Sequence, residues 1–208
     1  MPSGYDSIAG LYDRLSRLVF GKSIMHAQQH GLSEIAQGSR VLIVGGGTGH
    51  VLEQISLHKQ DISVDYVEPS TNMIKKAKVR SVNDLSINYI SQPIQELQND
   101  KVYDVVITQF FLDCFEGDEL DEIFVQLDNY LRKGGLWIVA DFQFSYDWNR
   151  RWQKLITSMM YLFFTLTVGI KARKLEDFHQ LFKRLDYHLH TKKSYYSSFI
   201  FSSVYQKR

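Results

Sequence analysis

The 208-residue chain has a single cysteine, Cys114. A lone thiol excludes an intramolecular disulfide and suits a reducing compartment. Net charge is also missing, because 24 basic residues against 23 acidic ones leave a formal +1. No global field is available to recruit nucleic acid or an anionic membrane, and neither is expected as a partner. The opening residues, MPSGYDSIAG, lack a charged segment followed by an apolar one. A cytoplasmic location is therefore expected. The most apolar stretch, residues 155–170, is sixteen uncharged residues with Ser and Thr scattered through it. As a helix it would span about 24 Å, short of the roughly 30 Å hydrocarbon core. No membrane span is expected. His26 and His30 stand at i and i+4, but no acid or cysteine constellation accompanies them, so no metal is expected. Repeats, low-complexity tracts and linkers are absent, and the length suits one α/β domain with a full core rather than two.

What the chain does have is VLIVGGGTGH, residues 41–50. Four apolar residues read as a central parallel strand buried on both faces. Gly45, Gly46, Gly47 and Gly49 follow at once, and then Val51, Leu52 and Ile55 at helical spacing. Strand, glycine turn and helix together let backbone N–H groups approach a polar cofactor. The spacing is GxGxG. A dinucleotide fingerprint would need glycine where His50 stands, and a P-loop would need Gly-Lys-Ser/Thr, which is absent. The turn thus favours a nucleoside without a pyrophosphate. Residues 62–67 read as a second strand closing on Glu68, followed by Pro69. An acid there can accept hydrogen bonds from both hydroxyls of a ribose; its structural alternative is an ordinary acid at a helix N-terminus.

The remaining pattern alternates helix and strand. Helices are expected over 5–20, 22–35, 70–80, 119–132 and 175–185, with Lys133-Gly134-Gly135 stopping the fourth. Strands are expected over 87–90, 102–108 and 136–140, and over 187–193 and 199–205 as a terminal hairpin. Residues 155–170 carry more apolar residues than one helix stripe needs. They could pack on the sheet, lid an apolar pocket through Phe164, or pair two copies as a homodimer.

In order, VLIVGGGTG, VDYVEPSTNMIKKAK, YDVVITQFFLDCF and LRKGGLWIVADF resemble the motifs of class I S-adenosylmethionine-dependent methyltransferases. The likeness runs from about Tyr5 to the C-terminus, and YDSIAGLYDRLSRLVFG resembles the opening helix of the ubiquinone and menaquinone methyltransferases. The resemblance implies a Rossmann-like three-layer sandwich, a seven-stranded, mostly parallel sheet with a C-terminal antiparallel hairpin. It implies one domain over 1–208, with helices over 1–38 and a lid insertion over 143–175. It implies S-adenosyl-L-methionine as cofactor, held by Tyr12, the glycine turn, Glu68 and Pro69, with Met73, Gln92 and Ile94 at the adenine; Tyr12 reads equally as a core-facing aromatic of its helix. Gln109 and Phe110 would stand at its methionine end. Phe111, Asp141, Phe142, Tyr146 and Phe164 would line the acceptor pocket. Asp113, the one acid in its loop before Glu116, could orient the acceptor, act as base, or simply cap the turn. The acid that the family pattern places two residues before the first glycine is Ile43 here. The expected activity is methyl transfer to a small apolar or aromatic molecule. A non-catalytic nucleoside-binding protein and an NAD-type oxidoreductase stand as alternatives.

Overall fold

The computed structural model describes residues 20–57, 61–98, 100–143 and 177–208. Among these residues seven strands form one sheet: β1 (Arg40–Val44), β2 (Ile62–Val67), β3 (Leu85–Ile90), β4 (Tyr103–Gln109), β5 (Leu131–Phe142), β6 (Tyr187–Tyr195) and β7 (Ile200–Lys207). Their spatial order is β3-β2-β1-β4-β5-β7-β6. The first five pair in parallel, and β7 runs antiparallel to both β5 and β6. The expected architecture is thus observed.

The central strands are buried on both faces because their apolar runs are unbroken. Val41 and Ile43 of β1, with Val64, Val105, Ile107 and Ile138, face Val51, Leu52 and Ile55 of α2 (His50–Ser56) and Ala77 of α3 (Thr71–Lys78). Leu42, Val44, Val106, Trp137 and Val139 face α4 (Gly117–Tyr130) and α5 (Phe178–Arg184) through Phe124, Leu127 and Phe182. Each fully buried side chain of this size contributes about 1.5–3 kcal/mol, so the two faces fix the register. The polar edge of Trp137 is matched within this layer, its indole donating to Thr108 Oγ1 at 2.9 Å. α1 (Ser23–Gln29) packs on β6 and β7.

Two expected elements differ. The helix expected over 22–35 stops at Gln29, and a 3-10 turn, Leu32–Glu34, follows. Gly31 interrupts it at φ 84, where a Cβ would lie 2.5 Å from Val204 Cγ2 of β7. Close approach to the sheet overrides helical periodicity there. The Lys133-Gly134-Gly135 stop is not a helix stop either. α4 has already ended at Tyr130, whose hydroxyl donates to the Leu97 carbonyl at 2.6 Å. The glycines sit inside β5, in a bulge where Leu131 pairs with Tyr103 and Leu136 with Val105. Gly134 takes φ 71, which a bulge needs and glycine supplies without strain.

Candidate functional site

Strand register assembles the site before any side chain is considered. Ile90, Val67, Val44, Thr108 and Val139 form one row across β3, β2, β1, β4 and β5. The next residues, Glu68, Gly45, Gln109 and Ala140, therefore line the carboxyl edge, where ligands of open α/β sheets bind. Residues distant along the chain are brought to one edge by the parallel order.

The glycine turn between β1 and α2 is held from several sides. Gly45 N–H donates to the Val67 carbonyl at 2.9 Å. Gly47 N–H donates to Glu68 Oε2 at 3.0 Å, while Ser70 N–H donates to Glu68 Oε1 at 2.9 Å. Glu68 is 4% exposed. It therefore bonds both the turn and the start of α3, a double role that its position after a strand does not reveal. Ser70 caps α3 by accepting from Met73 N–H at 3.2 Å, the usual N-cap geometry. Arg80 reaches from beyond α3 to the Thr48 carbonyl, to Thr48 Oγ1 at 3.2 Å and to Glu53 at 2.7 Å. Ile43, where the family pattern has an acid, is 1% exposed and packs among aliphatic residues.

Room for a ligand is unevenly distributed along the turn. A Cβ built on Gly45 would strike the Phe111 ring at 2.4 Å, and one on Gly49 would strike Ala77 at 2.7 Å. On Gly47 it would meet only Met73 Sδ, at 3.8 Å. The outer side of Gly47 is therefore the open one, walled by Met73 and Glu68. Pro69 is half-buried beside them. At the same edge Gln109 is 8% exposed; its Nε2 donates to the Gln28 carbonyl at 2.8 Å and its Oε1 is buried without a partner among the described residues. A buried acceptor without a donor is costly, and a ligand bearing N–H groups would relieve it. An open glycine face, a buried carboxylate and an unmatched acceptor fit a nucleoside carrying an amino-acid side arm, such as S-adenosylmethionine.

The expected adenine-side residues are spread. Gln92 is half-buried, after β3, whereas Ile94 is 2% exposed in the core under α4, its carbonyl accepting from Gln126 at 2.9 Å.

On the acceptor side two carboxyl groups meet. Asp141, at the end of β5, is fully buried and accepts from Leu112 N–H at 3.1 Å, Asp113 N–H at 3.3 Å and Phe142 N–H at 2.9 Å. It thereby folds the turn Leu112–Cys114 that follows β4. Asp113 hydrogen-bonds Asp141 through its side chain and accepts from Cys114 Sγ at 3.7 Å. Burial pushes the Asp113 carboxyl up to about 6. Burial, and then the neighbouring Asp113 charge, holds Asp141 well above the usual carboxylate range. Two adjacent carboxyls hold a proton to higher pH than either would alone. Between β4 and this turn Phe110 adopts φ 55, a conformation disfavoured for a bulky residue and found where the surroundings enforce it. Here its N–H donates to the Ala140 carbonyl at 2.7 Å and its ring packs on Phe142 at 5.1 Å. Phe142 is itself buried against Phe20 and Phe199, and Phe111 covers Gly45.

Tyr12, Tyr146 and Phe164 lie outside the described residues, as do the helix expected over 5–20 apart from Phe20 and the 143–175 segment apart from Gln143. Among the described residues no three metal-ligating side chains cluster, and no helix is long and apolar enough to cross a membrane.

Residues 41–135 match a family model described as a methyltransferase domain. The chain is 30% identical over 103 residues to a ubiquinone biosynthesis O-methyltransferase of Rickettsia typhi, covering 49% of this chain and 41% of that protein. It is 28% identical over 102 residues to malonyl-[acyl-carrier protein] O-methyltransferase 2 of Ilyobacter polytropus, covering 49% and 39%. The chain thus spans about two-fifths of the length of these curated relatives. Among solved structures, the N-methyltransferase NodS of Bradyrhizobium japonicum with bound S-adenosylhomocysteine superposes with a TM-score of 0.68 at 13% identity, over 99% of this chain and 98% of that one. Strand order and glycine turn coincide with the matched segment: residues 41–135 are similar to a methyltransferase domain, and the fold is that of the S-adenosylmethionine-dependent methyltransferases.

Proposed function

We propose that the protein binds S-adenosylmethionine at the glycine turn and methylates a small apolar or aromatic molecule at an oxygen atom. The open outer side of Gly47, between Glu68 and Met73, carries this reading. When bound, the cofactor supplies a methyl group already activated on a sulfonium, so alignment and exclusion of water are the main tasks of the chain. Glu68, whose two oxygens can together accept about four hydrogen bonds, would take the ribose hydroxyls beside its two backbone donors. Met73 would flank the nucleoside, and the Oε1 of Gln109 would accept from the ammonium of the methionine end.

The acceptor stands on the side of β4 and β5. Phe110, Phe111 and Phe142 make that side aromatic and favour an apolar acceptor. Asp113, sharing a hydrogen bond with Asp141, would take the hydroxyl proton of a bound acceptor. A carboxyl pushed up to about 6 is mostly ionised at pH 7 and is a better base than an ordinary aspartate. The two relatives named O-methyltransferases support an oxygen acceptor. Incubation with methyl-labelled cofactor and a panel of phenols, catechols and carboxylic acids tests the reading. Label should enter an oxygen-bearing acceptor; a panel without any transfer, by protein that binds cofactor, would count against the acceptor class.

A further inference from the structure

We infer that Tyr66 is a positioning residue for the cofactor, matched to Gly46, and that β2 rather than β1 anchors the glycine turn. The inference rests on the cofactor reading above and concerns what fixes the turn in its binding shape.

Residues two apart on a strand share a face. Tyr66 and Glu68 are such a pair, Glu68 standing one step past the end of β2. Both reach the same residue of the turn. Tyr66 donates its hydroxyl to the Gly47 carbonyl at 2.9 Å, and Glu68 accepts from the Gly47 N–H at 3.0 Å. The two polar groups of Gly47 are thus gripped by one strand. β1 offers nothing comparable, because Ile43 has no polar side-chain atom and lies in the aliphatic core.

Tyr66 can reach Gly47 only because position 46 is glycine. A Cβ there would lie 2.3 Å from the Tyr66 ring and 2.5 Å from its hydroxyl. Gly46 has no positive φ to justify glycine on backbone grounds; the ring is the reason. Tyr66 is fully buried and stacks edge-on to Tyr89 at 5.4 Å. Burial, and then the nearby Glu68 charge, pushes its phenol well above the ordinary 10, so the hydroxyl remains a proton donor at every working pH.

The consequence is preorganisation. If the hydroxyl is lost, the Gly47 peptide can take other orientations, and affinity falls by the fraction of time the binding shape is populated. The test uses the full chain, with S-adenosylhomocysteine as the calorimetric probe. Tyr66→Phe should weaken binding about tenfold, the scale of one buried carbonyl left unsatisfied. Without ligand, its Gly47 amide should exchange faster with solvent than in the unsubstituted protein. Gly46→Ala should also weaken binding, yet add nothing when combined with Tyr66→Ala, since the clash then has no ring to meet. Unchanged affinity and unchanged Gly47 protection in a folded Tyr66→Phe protein would overturn the inference while leaving the cofactor reading intact. Additive effects of Gly46→Ala and Tyr66→Ala would overturn the matched pair. If the unsubstituted protein fails to bind S-adenosylhomocysteine, the cofactor reading falls, and the inference with it.

Discussion

Replacing Asp113 with Asn should stabilise the protein at neutral pH and reduce methyl transfer. In the unfolded chain this carboxyl ionises near 3.8; in the fold, burial pushes it up to about 6. A folded-state value above the unfolded one means that the unfolded chain gives up its proton first. Stability from this group is therefore greatest below pH 4 and declines as pH rises from about 4 to about 6, after which the loss is constant. A gap of about two pH units at 1.36 kcal/mol each makes the loss up to about 3 kcal/mol. The substituted side chain would keep the geometry: its amide can donate to Asp141, and its carbonyl can accept from Cys114, both present partners of Asp113. Removing one of two adjacent charges also lets Asp141 ionise more easily among its three N–H donors. Urea unfolding at pH 4, 5, 6 and 7 measures the effect. The Asp113→Asn variant should gain little at pH 4 and about 1–3 kcal/mol at pH 7, with S-adenosylhomocysteine affinity unchanged and methyl transfer reduced. Parallel stability profiles for the two proteins across this range would refute a carboxyl whose ionisation burial has pushed up to about 6.

Three further outcomes follow from the same geometry. Glu68→Ala removes the acceptor for Gly47 and Ser70 as well as for a ribose; S-adenosylhomocysteine affinity should fall ten- to a hundredfold and stability by about 1–3 kcal/mol, by calorimetry and urea unfolding. Gly47→Val places a branched side chain at φ 60 on the open side of the turn; cofactor binding should be lost while circular dichroism stays near that of the unsubstituted protein, at a strain cost of about 1–2 kcal/mol. Asp65 is buried and accepts from Lys101, Tyr103 and Asn88 at 2.7–2.8 Å; burial alone would raise its carboxyl, but these bonds hold it below the usual range. Its stabilising contribution is present above the ordinary carboxylate range and is lost as pH falls below it, so Asp65→Ala should cost about 2–4 kcal/mol at pH 7 and less in acid unfolding experiments.

Much of the fold is legible in the sequence because burial on both faces writes itself as unbroken apolar runs. The run over 62–67 coincides with β2, Ile62–Val67, and β1 gains only Arg40. The edge strand β3 begins two residues before its apolar run indicates, since alternating exposure weakens the pattern at Leu85 and Ser86. The start of β5 is hidden because Lys-Gly-Gly is a turn signal, and only pairing with β4 shows that it is a bulge. For the site, Gly45, Glu68 and Gln109 stand at one edge as their positions after strands imply. Bonds between residues far apart along the chain leave no such trace. Asp141 folding the Asp113 turn, 28 positions away, and Tyr66 holding Gly47, 19 positions away, exist only once the strands are in register. The second does leave one mark in the sequence, a glycine at position 46 that the GxGxG spacing does not require.

The most direct measurement is a calorimetric titration of the full chain with S-adenosylhomocysteine and, separately, with NADH. An open Gly47 flanked by Glu68 and Met73 predicts one site for S-adenosylhomocysteine, none for NADH, and about 2.7 kcal/mol of added stability at a hundredfold excess over Kd. Heat with NADH and none with S-adenosylhomocysteine would contradict the account at its centre.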